Sequence, residues 1–213
     1  SESVRPNTGA GRDFLADAGE RRAARGWRGR GGMLDGQLPA PGYTVLQRCL
    51  HWITAVAVIL LLTAGIAMNN VPPGAWMNAL YVLHWSLGVC VLPLAIWRIV
   101  LRLTRPSPGY PADMPGWQRF AAEANHALLY AILIVNPLLG YVTKSAYGGS
   151  VTFFWIVDLP PVIAKNEALY DRLSTVHVLV GFTMIAVVAA HVGAALYHGL
   201  IRRDGIFSRM TTG

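Results

Sequence analysis

The chain has 213 residues, of which 54% are hydrophobic and 14% charged, with a net charge of +7. A soluble domain carries about 25% charged residues, so this chain lacks the polar surface to cover a water-soluble core, and lipid is indicated as its solvent. The basic charge comes from 16 Arg and 2 Lys gathered between apolar runs, with no nucleic-acid-binding motif beside them, which excludes nucleic acid as a partner.

Residues 1–42 are rich in Gly, Arg and Ala and have no apolar periodicity; Arg21, Arg22, Arg25, Arg28 and Arg30 make them basic. They read as a flexible, solvated tail, without the apolar core of a secretory signal. The folded domain is expected over 43–210. Four apolar segments follow, at about 50–68, 79–101, 124–143 and 176–201, each near the roughly 20 residues that cross a hydrocarbon core of about 30 Å as a helix. Lipid leaves only helices and closed barrels as spanning structures, and continuous apolar runs favour helices. The expected fold is all-α: an integral membrane four-helix bundle in which Pro93 and Pro137 kink the second and third helices.

Arginines distinguish the two sides. Arg48 precedes the first segment, Arg98, Arg102, Arg105 and Arg119 flank the second connection, and Arg202, Arg203 and Arg209 follow the fourth segment. The first connection, 69–78, has no charge, and the third balances Lys144, Lys165 and Arg172 against Asp158, Glu167 and Asp171. The positive-inside rule then places both termini in the cytoplasm. The third connection is long and carries Val151 to Trp155, an aromatic stretch suited to the outer interface. Cys49 and Cys90 read as small buried apolar side chains, and no Cys-x-x-Cys-His is present for covalent haem.

Six histidines lie in or at the ends of the four segments: His51, His84, His126, His177, His191 and His198. Intramembrane ionisable residues mark function by default. His177 and His191 share a face of the fourth helix, about 21 Å apart along its axis. Depth pairs His84 with His177 near the outer side and His51 with His191 near the inner side. A small residue follows each by one turn: Ala55, Gly88, Gly181 and Ala195. Gly65 shares the stripe of His51 at the height of the other pair. Paired neutral imidazoles in an apolar surround, with almost no acids, match bis-histidine haem rather than zinc or iron–sulfur sites. Two haem b groups are therefore expected, with His51, His84, His177 and His191 as iron ligands and Gly88 and Gly181 giving clearance. His198 is an alternative inner ligand, or a group that handles protons. His126 reads as an interfacial histidine satisfied by water. Arg48 is the candidate partner of an inner propionate, and Lys144 of an outer propionate or an anionic substrate.

The segments LQRCLHW from Leu46 to Trp52, LHWSLG from Leu83 to Gly88, Arg98-x-x-x-Arg102-Leu, Val176-His177, and AHVGAALYH from Ala190 to His198 resemble the bacterial cytochrome b561 family, from about Tyr43 to Met210. The resemblance implies a di-haem b cytochrome of the inner membrane, with ligands at His51, His84, His177 and His191. It further implies electron exchange with ubiquinone and, in some members, oxidation of superoxide by a superoxide:ubiquinone type of oxidoreductase with a periplasmic electron donor. An electron-relay or anchor subunit for a redox partner is the alternative. A small non-redox transporter is a third reading.

Overall fold

The computed structural model describes residues 42–105 and 107–212. The expectation of a flexible tail falls, apart from Gly42, outside them. Helix α1 spans Val45–Ala67, α2 Ala75–Thr104 and α3 Gly116–Tyr147. A short antiparallel hairpin follows, β1 Val151–Phe153 with β2 Val157–Leu159. Helix α4, Glu167–Leu196, runs into a π-helical turn, Tyr197–Arg202, and a last short helix, α5, covers Ser208–Thr211. Among the described residues, α1 to α4 are the four helices long and apolar enough to cross a membrane.

Each helix outruns its apolar segment. Hydropathy marks the stretch that faces hydrocarbon, whereas backbone hydrogen bonding continues through the headgroup region. The start of α1 is set by a capping box: Gln47 N–H donates to Thr44 Oγ1 at 3.3 Å, and Thr44 N–H donates to Gln47 Oε1 at 3.0 Å. The difference is largest for α3, which begins at Gly116 rather than near residue 124. Helices α2 and α3 run on through Pro93 and Pro137, as membrane helices do when neighbours support the freed carbonyls.

Helix α1 packs along α2, α2 along α3, and α3 along α4. At mid-height Ala57 and Val58 of α1, Val91 and Ala95 of α2, Ile132 and Leu133 of α3, and Met184 and Val187 of α4 form one buried apolar layer. Met184 is midway in sequence between His177 and His191, so this layer divides the bundle into two polar levels. Asn125 Nδ2 ties α3 to α4 by donating to the Val187 carbonyl at 3.1 Å.

Serines fasten the third connection to the helices. Phe154 N–H donates to the fully buried Ser86 Oγ at 2.7 Å, and Val162 N–H donates to Ser145 Oγ at 3.2 Å. Phe154 and Trp155 form the hairpin turn with φ of 45° and 59°. Bulky side chains adopt this left-handed region only where surrounding contacts hold them, and the bond to Ser86 is such a contact.

At the opposite end an ion-pair latch joins the π-helical turn to the α2–α3 connection. His198 Nδ1 contacts Asp204 Oδ2 at 2.6 Å, Arg202 reaches Asp204 at 3.2 Å, and Arg202 also pairs with Asp113 at 2.6 Å. Burial alone raises the Asp204 carboxyl, but the His198 and Ile206 hydrogen bonds and the Arg202 charge outweigh it and hold the group below its ordinary value.

Candidate functional site

Each α4 histidine faces one partner across the bundle. The rings of His84 and His177 have centroids 6.1 Å apart with planes at 84°, and those of His51 and His191 lie 6.1 Å apart with planes at 56°. These are the two couples that depth arithmetic puts together. Two metal–imidazole bonds of about 2 Å, plus about 1.1 Å from each nitrogen to its ring centre, place the centroids of two imidazoles on opposite sides of one metal roughly 6.2 Å apart. Both couples therefore have the spacing of two imidazoles on one metal. Among the described residues no three His, Cys, Asp or Glu side chains converge as a bare metal ion requires. Two imidazoles facing each other at this spacing fit a metal whose other four positions are supplied by a macrocycle.

The couple of His84 and His177, expected at the outer side, is framed by backbone. His84 Nδ1 lies 3.0 Å from the Leu61 carbonyl oxygen. A carbonyl only accepts, so Nδ1 carries the proton and Nε2 keeps its lone pair for a metal. One turn after Leu61, a Cβ on Gly65 would lie 3.2 Å from His84 Cε1. The same arrangement recurs between α3 and α4: a Cβ on Gly140 would lie 2.9 Å from His177 Cε1, and Asn136 is one turn before Gly140. Its backbone lies beside His177, although His177 Nδ1 makes no hydrogen bond of normal geometry. Gly140 escaped the sequence reading, because nothing on α3 itself shows which α4 side chain comes against it.

The other couple, His51 and His191, expected at the inner side, has a different surround. His126 approaches His191 with ring centroids 5.3 Å apart, and its Nδ1 is buried without a partner. This corrects the reading of His126 as a water-satisfied interfacial residue. Because α3 starts eight residues before the apolar run, His126 sits nearly three turns inside the helix. Arg98 of α2 enters the same level, its Nη2 3.1 Å from His51 Nδ1 and its guanidinium carbon 5.6 Å from the Tyr130 ring centre.

The remaining candidates fall in different places. Lys144 Nζ stands 4.4 Å over the ring of Trp85, the neighbour of His84, and 5.2 Å from that of Tyr147. Arg48 donates to the Thr211 carbonyl at 3.3 Å, on a surface shared with Cys49 and Trp52. His198, in the π-helical turn that follows α4, is buried in the latch with Asp204. Gly88 and Gly181 lie on the helices of the outer couple, and a Cβ at either meets no heavy atom within 4 Å. Cys49 is exposed and Cys90 half-buried, each as a free thiol, so Cys49 departs from the buried reading.

Residues 42–213 match the family described as prokaryotic cytochrome b561. Among curated relatives, "Cytochrome b561 homolog 1" of Escherichia coli (strain K12) is 28% identical, covering 79% of this chain and 96% of that protein. "Cytochrome b561 homolog 2" of the same organism is 27% identical over 79% and 90%. "Probable superoxide oxidase CybB" of Yersinia pestis is 26% identical over 79% and 94%. The chain belongs to the prokaryotic cytochrome b561 family and is a membrane electron-transfer cytochrome of the b type.

Proposed function

We propose, with that membership as premise, that the chain carries electrons from a reductant at the outer face, superoxide in particular, to ubiquinone, using two haem b groups. His84 and His177 would hold the outer group, and His51 and His191 the inner one. The observation that carries this reading is the repeated 6.1 Å spacing of the two imidazole couples. A haem held by the two imidazoles of each couple would supply one-electron exchange, with no open site for dioxygen.

The chain's own residues do the rest. Leu61 keeps the His84 lone pair on Nε2. Gly65 and Gly140 let α1 and α3 close on the outer imidazoles. Gly88 and Gly181 leave room for a flat group beside them. Lys144, held over Trp85 next to His84, offers a positive charge that draws an anionic reductant to the outer end. Two superoxide anions each give up one electron to become dioxygen, and a quinone takes both electrons and two protons to become quinol. The kinship with a probable superoxide oxidase supports this substrate. The arginine distribution supports an inner-membrane location with both termini in the cytoplasm, which puts His198 near the side from which protons would be drawn.

A second reading is an electron relay to a redox partner protein. It is favoured by the hairpin tip, where Trp155 and Ile156 are 60% and 80% exposed at the outer end. The separating experiment is haem reduction by a superoxide flux in the purified protein. Superoxide oxidation predicts rapid reduction, slowed about tenfold by Lys144→Ala through loss of the attracting charge. No reduction, together with a catalytic protein that co-purifies, would establish the relay instead.

A further inference from the structure

Arg98 is a cation inside a membrane-spanning helix, and among the described residues no carboxylate pairs with it. Three other arginines toward this end have partners of their own. Arg202 pairs with Asp113 and Asp204, Arg119 donates to the Pro111 and Ala112 carbonyls, and Arg48 donates to that of Thr211. Among the described residues Arg98 meets the side chain of Tyr130 and the Nδ1 lone pair of His51. A guanidinium offers five N–H donors in a planar fork, and a charge in hydrocarbon persists only with a partner. A carboxylate is the partner that fork fits best, with two parallel hydrogen bonds.

The contact with His51 shows where the carboxylate comes from. A guanidinium cannot accept a hydrogen bond, so at 3.1 Å His51 Nδ1 must be the acceptor, and the ring proton is on Nε2. A neutral imidazole that binds iron through Nε2 has its proton on Nδ1. The Arg98 contact and that ligation are mutually exclusive for neutral His51. When His51 takes the metal, Arg98 must exchange the imidazole for another acceptor at the same level. Haem b brings its own, since it carries two propionates. We propose that Arg98 binds a propionate of the inner haem, and that its bond to His51 is what it makes when that carboxylate is not there. The inference rests on the reading of His51 and His191 as haem ligands. It assigns to Arg98 the role that the sequence suggested for Arg48.

The test compares protohaem with its dimethyl ester, whose carboxylates are blocked, in reconstitution of the full-length protein stripped of haem. His84→Ala is the background in which the inner site is read alone. With Arg98 in place, protohaem should bind roughly 10- to 100-fold more tightly than the diester, the range of a charge-assisted bond. Arg98→Gln should abolish the preference and move the inner midpoint potential to more negative values, because a cation near the iron is removed. Arg98→Lys should keep a reduced preference. If Arg98→Gln does not fold, Arg98→Lys carries the test. An undiminished preference in either variant, or no preference with Arg98 present, overturns the assignment. Protein with its native histidines that takes up no haem at all would overturn the ligand reading itself, a distinct outcome.

Discussion

At the outer level, His84 and His177 lie against glycines of the preceding helices, Gly65 and Gly140, and the Leu61 carbonyl sets the tautomer of His84. At the inner level no glycine among the described residues crowds the rings. His51 and His191 share their space with a third imidazole, His126, and with the guanidinium of Arg98. Two couples with one spacing are thus supported in different ways, the outer by backbone shape and the inner by charge and polar side chains. The difference teaches that the outer site should respond most to added volume and the inner most to altered charge.

The largest expected effect comes from the ligands. Alanine at His84 or His177 should abolish the outer haem and leave the inner; alanine at His51 or His191 should do the reverse. Pyridine haemochrome assay should fall from two haems per chain to one in each variant. Retention of both haems would remove that residue from the ligand set.

The next effect tests the backbone frame. Gly140→Ala would put a methyl group 2.9 Å from His177 Cε1, and Gly65→Ala one at 3.2 Å from His84 Cε1. Overpacking of this kind costs about 1–3 kcal/mol. Gly140→Ala should therefore shift the outer midpoint potential and weaken outer haem retention more than Gly65→Ala, with the inner signal unchanged in both. An equal response of the two haems would erase the contrast between the sites.

The smallest effect concerns the inner latch. Asp204→Asn removes a carboxylate held below its ordinary value by His198, Ile206 and Arg202. A depressed carboxyl contributes stability above its unfolded value, near 4, and loses it as the pH falls through the lower folded value. The variant should be less stable at pH 7 by about 1–2 kcal/mol, with the gap to the parent closing in acid. Thermal melts at pH 7 and pH 3 check this; a gap that persists at pH 3 would show that packing, not charge, is lost.

What the sequence made legible follows from its periodicities. Hydropathy runs expose membrane helices, and a separation of 14 residues on α4 puts His177 and His191 on one face at two heights. Antiparallel threading then brings His84 and His51 to those heights. Other features depend on how one helix meets the next, which no single segment encodes. Gly140 matters only because α4 turns His177 onto it. His126 was misplaced because the polar first turns of α3, Gly116 to Glu123, carry no hydropathic signal even though they are helical. The hairpin was hidden because strands of three residues are too short to show alternation, and because its turn uses Phe154 and Trp155 where Asn-Gly is usual. Arg98 stood in plain view as half of a motif, but its want of an anion is a property of the packed bundle.

The most direct measurement of the central claim is the haem content and axial ligation of the purified full-length chain, from pyridine haemochrome quantitation together with low-temperature electron paramagnetic resonance of the oxidised protein. Two haem b per chain, both with low-spin bis-imidazole signals, is the expected result. A colourless protein, or a single haem, would contradict a molecule in which two imidazole couples are set one above the other to carry electrons.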